Sequence, residues 1–279
     1  MKIRVLTKKL IAEFKHHLLL QERSEATIEK YTRDVCAFAS HASRQSVTKE
    51  CVMAYKRFLE GAGYAVRSIN SMLAAVNSFL DFAGWGECKV KCIRHQRQIY
   101  CEEDKELTKA EYFRLLEAAK YDVKLKLIME TICSTGIRIS ELKYFTVEAV
   151  LKGTISVNCK GKKRDIIVPG RLRKMLLEFA RSMKISKGPI FRTRRGRPMN
   201  RSYIWALMKS LCEEANVNPS KVFPHNLRKL FARTFYNIEK DIAKLADILG
   251  HSSIDTTRIY IVSTGREHRR KIESLGLVV

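Results

Sequence analysis

The chain has 279 residues, of which 46% are hydrophobic, enough to build ordinary cores and to exclude general disorder. Five prolines and 13 glycines exclude a collagen-like or Pro-rich chain, and no apolar run reaches the roughly 18 residues of a membrane span. Lys and Arg number 53 against 29 Asp and Glu, a net charge of +24, which calls for a polyanionic partner: nucleic acid first, a membrane surface second.

The surplus is uneven. Residues 1–88 carry 13 basic and 9 acidic side chains, whereas residues 107–279 carry 35 and 16. The first residues hold lysines where a signal peptide needs its apolar stretch, so a soluble cytosolic protein is expected. The length suggests two domains.

In chain order, residues 1–88 read as four helices. Leu6, Leu10, Phe14 and Leu18 recur every four positions. Ile28, Tyr31, Val35 and Phe38 follow Ser24, and Cys51, Val52, Tyr55, Phe58 and Leu59 follow Thr48. Ile69, Leu73, Val76, Phe79, Leu80 and Phe82 end at Gly84. Lys30, Arg33, Lys56 and Arg67, between the stripes, are expected to face solvent or a phosphate backbone. Residues 89–106 break the periodicity and predict an exposed linker.

From residue 107 to 279 a second domain is predicted. Thr108 and Glu111 have capping-box spacing, and a helix over 123–135 stops at Gly136. Two alternating runs over 153–168 flank the basic turn Lys160–Arg164 and predict a β-hairpin. Further helices are expected near 171–184, 200–215, 225–237, 241–249 and 254–262, with a basic loop at Arg192–Arg197. The fold class is therefore mainly α with a small β-hairpin, an α+β chain.

The eight cysteines read as reduced thiols, most of them small buried hydrophobes. Cys88, Cys92, His95 and Cys101 together could hold zinc, but their spacing matches no common finger and they fall in the linker. No metal and no cofactor are expected.

Four short pieces carry chemistry. Arg138 stands at a helix junction with Glu141 one turn later, able to orient it. Lys160 lies at the hairpin tip, beside Lys162, Lys163 and Arg164, which are expected to enter a DNA groove, as are Arg194, Arg195 and Arg197 of the basic loop. His225 and Arg228 project from one face of a helix start. His251 follows the helix-closing Gly250, and Tyr260 comes nine residues on. Taken singly, each has a bland reading: a surface ion pair, a solvated lysine, a packed tyrosine. Together they make a phosphoryl-transfer kit. Two arginines fork onto phosphate oxygens, a tyrosine attacks, and a lysine or histidine protonates the leaving oxygen.

These pieces, Thr135–Leu142, the Lys160-Gly161 hairpin, His225-x-x-Arg228 and Leu249–Tyr260, resemble the tyrosine recombinase (phage integrase) family, of the Xer or transposon resolvase and integrase type. The resemblance covers essentially the whole chain. It implies a helical, SAM-like core-binding domain at 1–88, a linker at 89–106 and a catalytic domain at 107–279 with a C-terminal tail, closing on DNA as a C-shaped clamp. It implies that Tyr260 is the nucleophile, that Arg138, Arg228 and His251 hold the phosphate, that Lys160 is the general acid, that His225 accepts a proton or contacts phosphate, and that Glu141 supports Arg138. The partner implied is double-stranded DNA with paired inverted half-sites, bound by a homotetramer on two sites, with a monomer free in solution and no membrane. A cytoplasmic, nucleoid-associated protein follows, with no arm-binding domain before the core domain. Lys229 departs from the family, many of whose members have His there. The apolar end, Leu275 to Val279, is expected to dock on a neighbouring protomer. A type IB topoisomerase and a DNA-binding regulator without catalysis are the competing readings.

Overall fold

The computed structural model describes residues 4–43, 46–94, 105–159, 162–261, 269–270 and 272–275. The chain divides into two compact units, Met1–Arg97 and Gln98–Val279. The described residues are mostly helical, with a single two-stranded sheet among them.

The first unit holds the four expected helices: α1 (Lys8–Leu20), α2 (Glu25–His41), α3 (Lys49–Gly61) and α4 (Val66–Phe82). Thr7 and Thr48 cap α1 and α3 by accepting from the amides of Leu10 and Cys51. The apolar stripes meet in one core that includes Phe14, Val35, Phe38, Tyr55, Leu73 and Phe79. Phe58, expected in the stripe of α3, is half exposed and lies tilted against the ring of His41. Lys30 is not a free surface charge: it pairs with the buried carboxylate of Asp34.

The segment expected to begin an exposed linker is held on this unit as far as residue 94. Val90 is buried in the core. Asn77 and Asn70, two turns apart on α4, each exchange a pair of hydrogen bonds with the backbone of Val90 and Ile93. An amide side chain presents a donor and an acceptor together, so it pairs with an extended backbone as a neighbouring strand would. Cys88 is buried in the same core and Cys92 is exposed, while His95 and Cys101 lie outside the described residues.

The second unit begins with α5 (Lys109–Ala118), closed by the reciprocal Thr108–Glu111 capping box. Next comes α6 (Val123–Thr135), ended by Gly136 at φ +64°. The stretch after Arg138, expected to begin another helix, is a 3-10 segment, Ile139–Tyr144. A short α7 (Val147–Lys152) was not visible in the periodicity. Strands β1 (Thr154–Cys159) and β2 (Lys162–Ile167) form the antiparallel hairpin, with Val157 opposite Arg164 and Ile155 opposite Ile166. There follow α8 (Gly170–Ser182), α9 (Arg201–Ser210), α10 (Pro224–Glu239), α11 (Ile242–Leu249) and α12 (Ile254–Ile261). Most of the unit shares one core, and Ala232, Leu245, Leu249 and Tyr260 form a smaller cluster beside it.

Candidate active site

Two helix-ending turns, one helix start and one strand converge on a single cluster. Gly136 ends α6 in the left-handed region, and a Cβ there would lie 2.3 Å from the ring of Phe231 on α10. Only glycine permits both the turn and this approach of helix to helix. The turn delivers Arg138 to the start of the 3-10 segment, where Glu141 folds back on it. Glu141 Oε2 accepts from the Arg138 amide at 2.8 Å, and Oε1 accepts from its guanidinium at 3.1 Å.

Helix α10 starts at Pro224, which needs no amide partner at that position. Its inward face carries Asn226, Leu227, Arg228, Leu230 and Ala232. Arg228 is only 1% exposed. Its guanidinium donates to the carbonyls of Gly136 and Leu249, and its Nη2 lies 2.9 Å from His251 Nε2. Among the described residues no carboxylate pairs with it. A buried cation held only by carbonyls and an imidazole carries an uncompensated charge.

Helix α11 closes on Gly250 at φ +63°, and the turn sets His251 over the cluster. A guanidinium cannot accept, so His251 Nε2 accepts from Arg228, and Nδ1–H donates to Thr257 Oγ1 at 2.9 Å. Thr257 and Tyr260 are the buried residues of α12, one turn apart. The Tyr260 ring centroid lies 5.2 Å from that of His225 and 5.1 Å from that of His251, with the Arg228 guanidinium carbon 5.9 Å away.

The charge of the cluster shows in its titration. Burial, then Arg138, hold the Arg228 guanidinium down to about 10, partly offset by Tyr260. Burial, then Arg228, Arg138, Arg164 and His225, push the His251 imidazole down to about 4. Burial, then Lys229, Arg228 and Arg138, lower His225. Because the folded state holds His251 below its ordinary value, this group favours folding above about pH 6.5 and withdraws that stability as pH falls towards about 4. Denaturant unfolding at pH 7 and pH 5 should therefore show a larger acid loss for the wild type than for His251→Gln. Equal losses would mean that His251 is not held neutral.

The expected residues separate into three groups. Arg138, Glu141, His225, Arg228, His251 and Tyr260 are brought together. Lys163, Arg194, Arg195 and Arg197 are exposed, the last three on a turn closed by Thr193 and Gly196. Lys160 lies outside the described residues, as does the side chain of Lys162. Arg164 corrects the sequence reading: it does not reach outward from the hairpin tip but turns inward, 12% exposed, onto Glu141 and the Leu249 carbonyl. Thr257 and Glu106 were not singled out from the sequence. Glu106, buried, binds Arg233 and lies 3.8 Å from Lys229, tying the start of this unit to α10. Lys229, where the family often has His, thus faces a carboxylate.

The arrangement gathers arginines, an aromatic hydroxyl and imidazoles in one cluster, in the motif order noted above. Residues 105–266 match the phage integrase family, and residues 11–87 match the phage integrase N-terminal SAM-like domain. The chain belongs to the phage integrase family. Among members of the phage integrase family, the tyrosine recombinase XerA of Pyrococcus furiosus is 28% identical over 286 residues, covering 100% of this chain and 98% of that protein. The tyrosine recombinase XerD of Halalkalibacterium halodurans is 27% identical, covering 85% of this chain and 87% of its own. A crystal structure of a lambda integrase dimer bound to a COC' core site shares the fold with a TM-score of 0.76 at 16% identity, covering 94% of this chain and 97% of that one. A lambda integrase tetramer bound to a Holliday junction matches with a TM-score of 0.71 at 18% identity, covering 93% and 78%. No helix among the described residues is long and apolar enough to cross a membrane.

Proposed function

We propose that the protein is a site-specific DNA recombinase that cuts and rejoins strands through a 3′-phosphotyrosine. The observation that carries this reading is Arg228, buried without a carboxylate partner and set against Tyr260 and His251. A phosphodiester supplies the missing anion.

The oxygen of Tyr260 attacks the scissile phosphorus, and the bond to the 5′-oxygen breaks. Arg138 and Arg228 stabilise the charge that grows on the non-bridging oxygens. Neutral His225, beside the tyrosine ring, takes up the phenolic proton or contacts the phosphate. Lys160 protonates the departing 5′-oxygen. The 5′-hydroxyl of a partner strand then attacks the phosphotyrosine and restores the tyrosine, so bond energy is conserved and no ATP is consumed. Two rounds, through a Holliday junction, exchange four strands.

The first unit is the core-binding domain and the second the catalytic domain, and both bind DNA. Four protomers act on two sites with inverted half-sites, at the nucleoid. Ile272 and Leu275, exposed by 53% and 61%, suit a tail that docks on a neighbour.

The direct test selects a duplex from a random pool by binding, nicks it near the bound centre and looks for a covalent protein–DNA adduct. Absence of any adduct on such substrates contradicts the reading. With 35 basic side chains in residues 107–279, affinity for this duplex should fall by about three orders of magnitude between roughly 50 and 200 mM salt. Binding that is flat over that range contradicts phosphate-led recognition.

A further inference from the structure

Arg164 reaches from β2 into the cluster and divides the carboxylate of Glu141 with Arg138. Oε2 of Glu141 lies 2.6 Å from Arg164 Nη2, and Oε1 lies 3.1 Å from Arg138 Nη1. The shorter contact goes to the arginine that is 12% exposed, and the longer one to the arginine that is 35% exposed. The other Arg138 side-chain bond, from Nη2 to the Gly250 carbonyl, is 3.4 Å long, the weak end of the hydrogen-bond range. Arg164 also donates to the Leu249 carbonyl, and a Cβ at Gly250 would lie 2.5 Å from its Nη1, so its seat is closely fitted.

Without Arg164, Oε2 of Glu141 would keep only the Arg138 amide, which leaves it lone-pair capacity for a second bond, and a carboxylate facing one guanidinium can form a two-bond fork with it. Such a fork would turn Arg138 towards Glu141 and use the donors that a phosphate needs. We infer that Arg164 is a positioning residue, which occupies one oxygen of Glu141 and so leaves the Arg138 fork available to the scissile phosphate. The inference rests on the recombinase reading above.

Single-turnover cleavage of the selected, nicked duplex tests it in wild type, Arg164→Met, Glu141→Gln and the double variant. Removing Arg164 should slow cleavage at least about tenfold when Glu141 carries its charge. It should slow it less than about threefold when Glu141 is already Gln, because an amide cannot form the charged fork. Arg164→Lys, which keeps the charge, should lose less than Arg164→Met. A role limited to packing would give equal losses in both backgrounds, and that result overturns the inference, as does Arg164→Met cleaving at the wild-type rate. If Arg164→Met does not fold by circular dichroism, Arg164→Gln replaces it in the same cycle and is read the same way. A wild-type protein that forms no adduct is a separate result, which sinks the recombinase reading itself.

Discussion

Tyr260→Phe is expected to abolish covalent capture of DNA while leaving the duplex bound. The substitution removes one oxygen and keeps the ring, which packs with Ala232, Leu245 and Leu249 and between the two histidines. What folding loses is the favourable influence of the Tyr260 hydroxyl on the charged Arg228 guanidinium. What the reaction loses is its nucleophile, for which phenylalanine offers no substitute. Gel shifts on the selected duplex should match the wild type, and adducts on the nicked substrate should be undetectable. An adduct formed by the Phe variant would transfer the role to another of the ten tyrosines and dismantle the site as assigned.

The second large effect belongs to Arg228→Met, where stability and activity should part. Holding the guanidinium near 10 instead of 12.5 disfavours the buried cation by about 3 kcal/mol. Methionine removes that penalty and fills much of the same volume. Against this, the Gly136 carbonyl loses its guanidinium donor and the part-buried His251 Nε2 is left to take water instead, whereas the Leu249 carbonyl keeps Arg164. A buried acceptor left unpaired costs about 1–3 kcal/mol, so the two effects nearly cancel. Cleavage, by contrast, should fall at least about a hundredfold, because a preorganised donor to the transition state is gone. Thermal unfolding within a few degrees of wild type, with cleavage abolished or nearly so, is the expected pair of results. A variant that unfolds would make Arg228 a structural residue, and one that still cleaves well would remove it from the phosphate.

Much of this was legible in the sequence because local rules were enough. Gly136 and Gly250 each end a helix in the left-handed region, so the residues that follow them, Arg138 and His251, could be assigned to turns. The capping box at Thr108 and the helix start at Pro224 needed nothing beyond their neighbours. The misreading of Arg164 has a physical cause. Strand alternation gives two faces, and the pair Ile166-Ile167 does not say which one is inward. Only the hairpin register decides: Val157, buried, stands opposite Arg164, and Ile155 stands opposite Ile166. Partners across a ladder share a face, so Arg164 goes inward with Ile166, while Ile167 is 80% exposed. The docking of residues 89–94 was hidden for a similar reason. Two asparagines on α4 read as polar surface until the segment they hold is laid beside them.

The Leu249 carbonyl accepts from Arg228 of α10 and Arg164 of β2, and it belongs to the main chain. Every side chain at position 249 carries the same oxygen. An alanine scan would therefore report the loss of Leu249's packing and remain silent about the junction beneath it. The group that joins helix, strand and turn is out of reach of the genetic code. It could be weakened by replacing the amide between residues 249 and 250 with an ester, whose carbonyl is a poorer acceptor, through chemical synthesis or semisynthesis of the C-terminal segment; the same change removes the Gly250 N–H that caps α11, so the control is an ester that deletes only a capping N–H elsewhere in the fold.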